Sequence, residues 1–130
     1  MKNISAVAKE VGLSAKTVRY YESIELTSAP IRGENGYRCY NQSIINELNF
    51  VKRARAAGFN LEECKELINL YKNENRTAAQ VKALTLEKIA DIEERIVTLQ
   101  GMLSTLQSLA SSCRGDNSPH CSILEQLSNE

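Results

Sequence analysis

Apolar residues recur at helical spacing along most of the chain, and one short stretch interrupts the period. Val7, Ala8 and Val11 share a face, with Ser5 ahead of them as a cap and Gly12 behind as a stop, which predicts a short first helix. Ser14 then caps a second, AKTVRYYESI over residues 15–24. Two short helices about a glycine-containing turn form a helix-turn-helix pattern. Residues 29–40, APIRGENGYRCY, lose that period. Asn35-Gly36 is a hairpin cue, because a tight primed turn needs positive φ at both central residues. Arg32 on one flank and Tyr37-Arg38-Cys39-Tyr40 on the other make a small β-ribbon, a wing beside the helix pair. A plain hairpin with solvated arginines is the other reading.

The helical period then returns. Asn41 caps a third helix reaching residue 57, with Gly58 as its stop. Asn60-Leu61-Glu62-Glu63 is a capping box and opens a fourth helix with Leu61, Cys64, Leu67, Ile68 and Tyr71 on one face. Thr77-Ala78-Ala79-Gln80 is a second box. Behind it Ile89, Ile92, Ile96, Leu99, Leu103, Leu106 and Ala110 follow one another in alternating steps of three and four. That is a strict heptad seam, the mark of a two-helix coiled coil. A helix from about 78 to 112 is roughly 52 Å long at 1.5 Å per residue, and nothing else in the chain is long enough to cover its seam. A second copy is, so the pattern predicts a homodimer through residues 77–112; heptads alone do not give the helix direction. The expected fold is mostly α, with a winged helix-turn-helix, linking helices and a long C-terminal helix.

Composition adds little beyond a charge asymmetry. Of the 130 residues 25% are charged and 42% hydrophobic, as expected of a globular domain. No apolar run approaches a membrane span, and MKNISAVAKEVG lacks the apolar core of a signal peptide. A cytoplasmic protein with no membrane partner is expected. The formal charge is zero, but residues 1–58 carry 9 Lys+Arg against 5 Asp+Glu, and residues 59–130 carry 7 against 11. A basic first half suits a polyanion. In a helix-turn-helix the second helix enters the DNA major groove, and here it offers Lys16, Thr17, Arg19 and Tyr20. Arg32, Tyr37 and Arg38 of the wing suit phosphate contacts, which position a protein without reading sequence.

The candidate chemistry sits in CRGDNSPHC, residues 113–121. A reducing compartment weakens the disulfide reading. Gly115 and Pro119 let the loop fold back and bring Cys113 and Cys121 together. Two thiolates suit a soft monovalent ion such as Cu(I), with Ag(I) and Au(I) behaving alike. Zinc, which wants about four ligands, would need His120 and a fourth donor and ranks second. Cys64 and Cys39 read as packing residues. An enzyme built on either loop thiol lacks an orienting acid and an oxyanion loop. A metal buffer or coiled-coil adaptor would leave residues 1–58 without a purpose.

Residues 16–40 resemble the signature of the MerR family of bacterial transcription regulators: Arg19-Tyr20-Tyr21-Glu22, Pro30, Arg32, Gly36-Tyr37-Arg38 and Tyr40 all match. The resemblance implies a dimer whose long helices pair antiparallel on a two-fold symmetric promoter operator. Metal-dependent bending and underwinding of that double-stranded DNA would then realign promoter elements for RNA polymerase. By position it implies that Lys16, Thr17, Arg19 and Tyr20 make recognition-helix contacts, that Arg32, Tyr37 and Arg38 act from the wing, and that Arg55 of the third helix holds a phosphate. The family usually has Gly where this chain has Glu25; a Glu in the left-handed region costs about 1 kcal/mol or more, so residues 23–27 are where a rebuilt turn is expected.

Within the family the loop is similar to that of the copper-efflux regulators, the CueR type, in which two loop cysteines hold the ion. Relatives sensing mercury or zinc bring a further cysteine from the start of the partner's long helix, where this chain has Ala78. Antiparallel pairing also places Lys82 of one copy near the loop of the other. Two thiolates and one Cu⁺ sum to −1, and a buried net charge needs a partner. Lys82 and the N-terminus of a short helix from Ser122 can offset it, whereas a divalent ion would make the site neutral. The resulting division is a DNA-binding domain over 1–58, a linking helix over 59–76, a dimerisation helix over 77–112, and a metal-binding loop with a short helix over 113–130.

Overall fold

The computed structural model describes residues 2–128. Its elements run α1 (Ile4–Val11), α2 (Ala15–Ser23), β1 (Ile31–Arg32), β2 (Arg38–Cys39), α3 (Gln42–Ala56), α4 (Leu61–Lys72), α5 (Ala78–Ser112) and α6 (Ser122–Ser128). The chain divides into two compact units, Met1–Thr85 and Leu86–Glu130.

In the first unit short polar side chains start each of the first four helices. Asn3, Ser14, Asn41 and Asn60 accept from the backbone N–H of Ala6, Thr17, Ile44 and Glu63, each satisfying a donor the helix leaves open. Ser5 is therefore not the cap of α1; it lies inside the first turn. Lys2 pairs with Tyr40 in an antiparallel bridge, which holds residue 2 extended, and the chain turns into the helix directly at Asn3. At its other end α1 closes on Gly12, at φ 74°, and Lys52 Nζ of α3 donates to the Val11 carbonyl at 2.7 Å. A Cβ on residue 12 would lie 2.4 Å from that ammonium, which the flexible lysine could vacate at the cost of this bond, so it is the left-handed φ that calls for glycine.

The core joins Val7, Ala8 and Val11 of α1, Val18 and Tyr21 of α2, Ile44, Ile45, Leu48 and Val51 of α3, and Cys64 and Ile68 of α4, with Leu26 and Tyr40 closing it. Burying a Val, Leu or Ile side chain stabilises by about 1.5–3 kcal/mol, so this cluster orients the helix pair. Glu47 is buried too. It accepts from Ser28 Oγ at 3.0 Å and pairs with Lys72, tying α3 to α4 and to the segment after α2.

Two turns differ in detail from expectation. The ribbon is antiparallel, with Ile31 opposite Cys39 and Arg32 opposite Arg38. Its tight turn is centred on Glu34-Asn35 rather than Asn35-Gly36: Gly36 N–H donates to the Gly33 carbonyl at 2.9 Å, and Gly36, not Asn35, has positive φ. A turn followed by one left-handed residue is the longer hairpin solution that glycine also serves. The end of α2 is not rebuilt. Glu25 itself adopts φ 59°, Leu26 N–H reaches the Tyr21 carbonyl and Glu25 N–H the Glu22 carbonyl, both at 3.0 Å. This is the paired closure that usually ends on glycine, held here by burial of Leu26 and Tyr21.

The second unit contains the remainder of α5, the loop after it, and α6. The capping box of α5 is made before this unit begins: Thr77 N–H donates to Gln80 Oε1 at 2.9 Å and Gln80 N–H to Thr77 Oγ1 at 3.2 Å. Ile89, Ile96, Leu99, Leu103 and Leu106 of the heptad seam are all exposed in the single chain, Leu99 and Leu106 at 61%. No helix among the described residues is long and apolar enough to cross a membrane.

Candidate functional site

Two groups of residues could carry function. The first lies on α2, the ribbon and α3. Lys16, Arg19 and Tyr20 of α2 are exposed, as are Arg32 and Tyr37 of the ribbon and Arg55 of α3, so their side chains can meet a polyanion. Thr17 is half-buried and its hydroxyl lies 2.8 Å from Ser14 Oγ, which makes it part of the cap of α2. Arg32 Nη1 donates to the Gly36 carbonyl at 2.9 Å, bracing the turn it flanks. Arg55 Nη1 donates to the Phe59 carbonyl at 3.0 Å, closing the end of α3. Arg38 lies 3.6 Å from Glu22 Oε2, so it is held before any ligand arrives.

That last contact belongs to a latch for which the sequence signature gives residues but no roles. The hydroxyl of Tyr40, fully buried, donates to Glu22 Oε1. Burial, and after it the Glu22 carboxylate, push the Tyr40 phenol above its ordinary range, so the proton stays on the phenol. Glu22 thus joins α2 to Arg38 in β2 and to Tyr40 just after it, and the ribbon is fixed relative to α2.

The second group is the loop after α5. Cys113 Sγ and Cys121 Sγ are 3.6 Å apart and both half-buried. A disulfide would need about 2.05 Å, so these are two facing thiols. The backbone N–H of Leu124, and next the Cys113 thiol, hold the Cys121 thiol below its ordinary range, with Ile123 N–H adding to them and burial and then Glu125 opposing. A lowered thiol is a better metal ligand, since the thiolate binds. Ser118 N–H donates to Asp116 Oδ1 at 3.0 Å and His120 N–H to Ser118 Oγ at 3.2 Å, so the loop is built from side-chain turns. Ser112 and Ser122, each next to a cysteine, are joined at 2.9 Å. His120 is 89% exposed, with Nδ1 3.9 Å from Glu125. Among the described residues no group of three or more Cys, His, Asp or Glu side chains is placed to hold a metal.

Cys64 and Cys39 stand apart from this pair. Cys64 is fully buried, and burial raises its thiol; Cys39 is half-buried in β2. Ala78 and Lys82 lie in the first turns of α5, Lys82 exposed. Cys113 follows the other end of that helix.

The profile of the MerR HTH family regulatory proteins matches residues 2–70, and that described as MerR, DNA binding, matches residues 45–109. The chain is 52% identical over 126 residues to the HTH-type transcriptional regulator CueR of Salmonella typhimurium, covering 97% of this chain and 91% of that one. To the CueR of Escherichia coli O6:H1 it is 51% identical over 126 residues, covering 97% and 93%. Among solved structures it is similar to the transcription regulator PbrR691 of Ralstonia metallidurans in complex with lead(II), with TM-score 0.89 and 31% identity over 98% of this chain and 100% of that one. The mercury(II) complex of MerR from Bacillus megaterium follows with TM-score 0.73 and 31% identity over 94% and 95%.

Proposed function

The chain belongs to the MerR family of transcription regulators, and from that premise we propose that it is an activator that senses Cu(I) through Cys113 and Cys121 and switches on copper export and detoxification genes. One observation supports this reading before any other: two thiols face each other at 3.6 Å, and among the described residues no third donor is gathered beside them. Soft monovalent ions accept two thiolates, whereas zinc wants about four ligands. Its relatives named CueR share about half its residues over nearly their whole length. Ag(I) and Au(I) should act as surrogates.

The protein works as a homodimer on double-stranded promoter DNA in the bacterial cytoplasm. Residues 1–58 bind the operator, with Lys16, Thr17, Arg19 and Tyr20 on the recognition helix, Arg32, Tyr37 and Arg38 on the wing, and Arg55 on a phosphate. Residues 59–76 link them to the dimerisation helix over 77–112, which pairs antiparallel with its copy. That pairing brings Ala78 and Lys82 of one chain to the 113–130 segment of the other. Ala78 adds no ligand there. Lys82 offsets the −1 charge of two thiolates and a monovalent ion, a complement a divalent ion would not need. Loop closure then distorts the promoter. Deforming DNA over such a site costs of order 1–6 kcal/mol, which ligand binding supplies only through preference for the distorting conformer. RNA polymerase responds indirectly, through the realigned promoter.

An anaerobic titration of the dimer on its promoter, read by in vitro transcription, tests the reading. Activation by Cu(I) and Ag(I) but not Zn(II), lost in Cys113→Ser, is expected. Activation by Zn(II) would overturn the two-thiolate site and favour a divalent sensor. Lys82→Glu should weaken Cu(I) binding, and unchanged affinity would remove Lys82 from the site. Arg19→Ala should weaken operator binding by about 1–3 kcal/mol if it reads a guanine; equal losses on all sequences would make it a phosphate contact instead.

A further inference from the structure

The two sulfurs lie 3.6 Å apart, and three side chains outside the ligand pair tie together the ends of the loop that carries them. Ser112 is the last residue of α5 and precedes Cys113; Ser122 is the first residue of α6 and follows Cys121. The Ser112 hydroxyl donates to the Leu109 carbonyl at 2.8 Å. Its single proton is thereby used, so the 2.9 Å contact with Ser122 Oγ has Ser122 as donor. Gln126 Nε2 donates to the same Ser112 oxygen at 3.2 Å. A hydroxyl offers one donor and two acceptor positions, and all three are filled here. The node joins the C-terminal turn of α5 to both turns of α6, and its two serines flank the two thiols.

We infer that Ser112, Ser122 and Gln126 form a staple that closes the 113–121 loop before an ion arrives, making them positioning residues for the metal site. The inference rests on the proposed role of Cys113 and Cys121 and adds to it a determinant of affinity. Without the staple, bringing the ends of the nine-residue loop together would be left to ion binding; with it, much of that ordering is already done. Preorganisation of this kind raises affinity without adding a contact to the ligand. The staple touches neither sulfur, so it acts by spacing alone.

Its test is a double-mutant cycle on the full-length protein, with anaerobic Cu(I) affinity read by competition against a chelator. Ser112→Ala and Ser122→Ala should each raise the Kd by roughly three- to tenfold, the range of one net hydrogen bond. The double variant should be no weaker than the weaker single one, because both remove the same bond. Ser112→Thr, which keeps the hydroxyl, should stay at the wild-type value. Additive losses, no loss, or a Thr variant as weak as the Ala one would overturn the staple. A second readout needs no metal. In a glutathione redox buffer, two protein thiols and one glutathione disulfide give the Cys113–Cys121 disulfide and two reduced glutathiones, and the equilibrium constant reports how closely the thiols are held. It should fall in both Ala variants by a similar factor. If wild type binds no Cu(I) but this constant falls, the staple stands and the copper reading fails; if the constant is unmoved, the staple itself is wrong.

Discussion

The two units place their apolar side chains in opposite ways. In Met1–Thr85 the apolar faces of α1, α2, α3 and α4 converge, and Val7, Val18, Leu48, Val51 and Cys64 have no accessible surface at all. In Leu86–Glu130 the apolar residues are more regularly spaced, yet six of the seven seam residues stand open to solvent. Regular spacing is thus no guide to burial within one chain. An irregular set of short helices can close on itself, since each presents its stripe to a different neighbour. A single long stripe has only a second long helix to close on. The difference separates a unit that carries its own core from one whose core is half of a dimer's.

That comparison can be broken most forcefully at Leu99. It lies near the centre of the heptad seam and is exposed in the single chain, so in the proposed antiparallel dimer Leu99→Glu removes two buried leucines and brings two carboxylates close together. The dimer should weaken by at least about 3–6 kcal/mol, the transfer free energy of two leucines, read by sedimentation equilibrium, while amide exchange protection of α1–α3 persists. An unchanged dimer would show that another face holds the copies together. Leu48→Ala asks the converse question. Its side chain is fully buried in the first unit, so the loss should be about 2–5 kcal/mol, read by chemical denaturation at fixed protein concentration, with the dimer constant unaltered.

Thiol chemistry sharpens the contrast at smaller scale. Cys121 is lowered by Leu124 N–H and by Cys113, so its thiolate forms at lower pH than that of a free thiol. Cys64 is raised by burial, so its thiolate needs a higher pH. With iodoacetamide at neutral pH, metal-free Cys121 should be alkylated at least about ten times faster than Cys64. Equal rates would mean that the first unit opens on the timescale of labelling. The smallest effect is a gain: Glu25→Gly, at φ 59°, should raise thermal stability by about 1 kcal/mol.

Sequence pattern served best where the signal was local or repeated. The bounds of α5 agree at both ends with the capping box at Thr77 and the end of the heptads, and the start of α4 agrees with the box at Asn60. It failed where a distant residue decides a local choice. Ser5 loses the cap of α1 to Asn3 because Tyr40 pairs with Lys2, and the Asn35-Gly36 dipeptide does not state how many residues the hairpin loop holds. Cys113 and Cys121 stand out by spacing alone. Ser112, Ser122 and Gln126 do not, because a serine at a helix end is ordinary and only the fold brings these three together. Glu22 was visible as a motif residue, but its hold on Tyr40 and Arg38 was not.

The ammonium of Lys52 on the Val11 carbonyl has a consequence for how the chain is made. A nascent chain emerging from a ribosome presents α1 and α2 first, with the C-terminal carbonyl of α1 still bonded to water and Lys2 without Tyr40. Both closures arrive later, the second with the end of the ribbon and the first only after most of α3 has been synthesised. The helix pair that reads like an independent motif is, in order of synthesis, an unfinished one, and its geometry is set by residues that follow it.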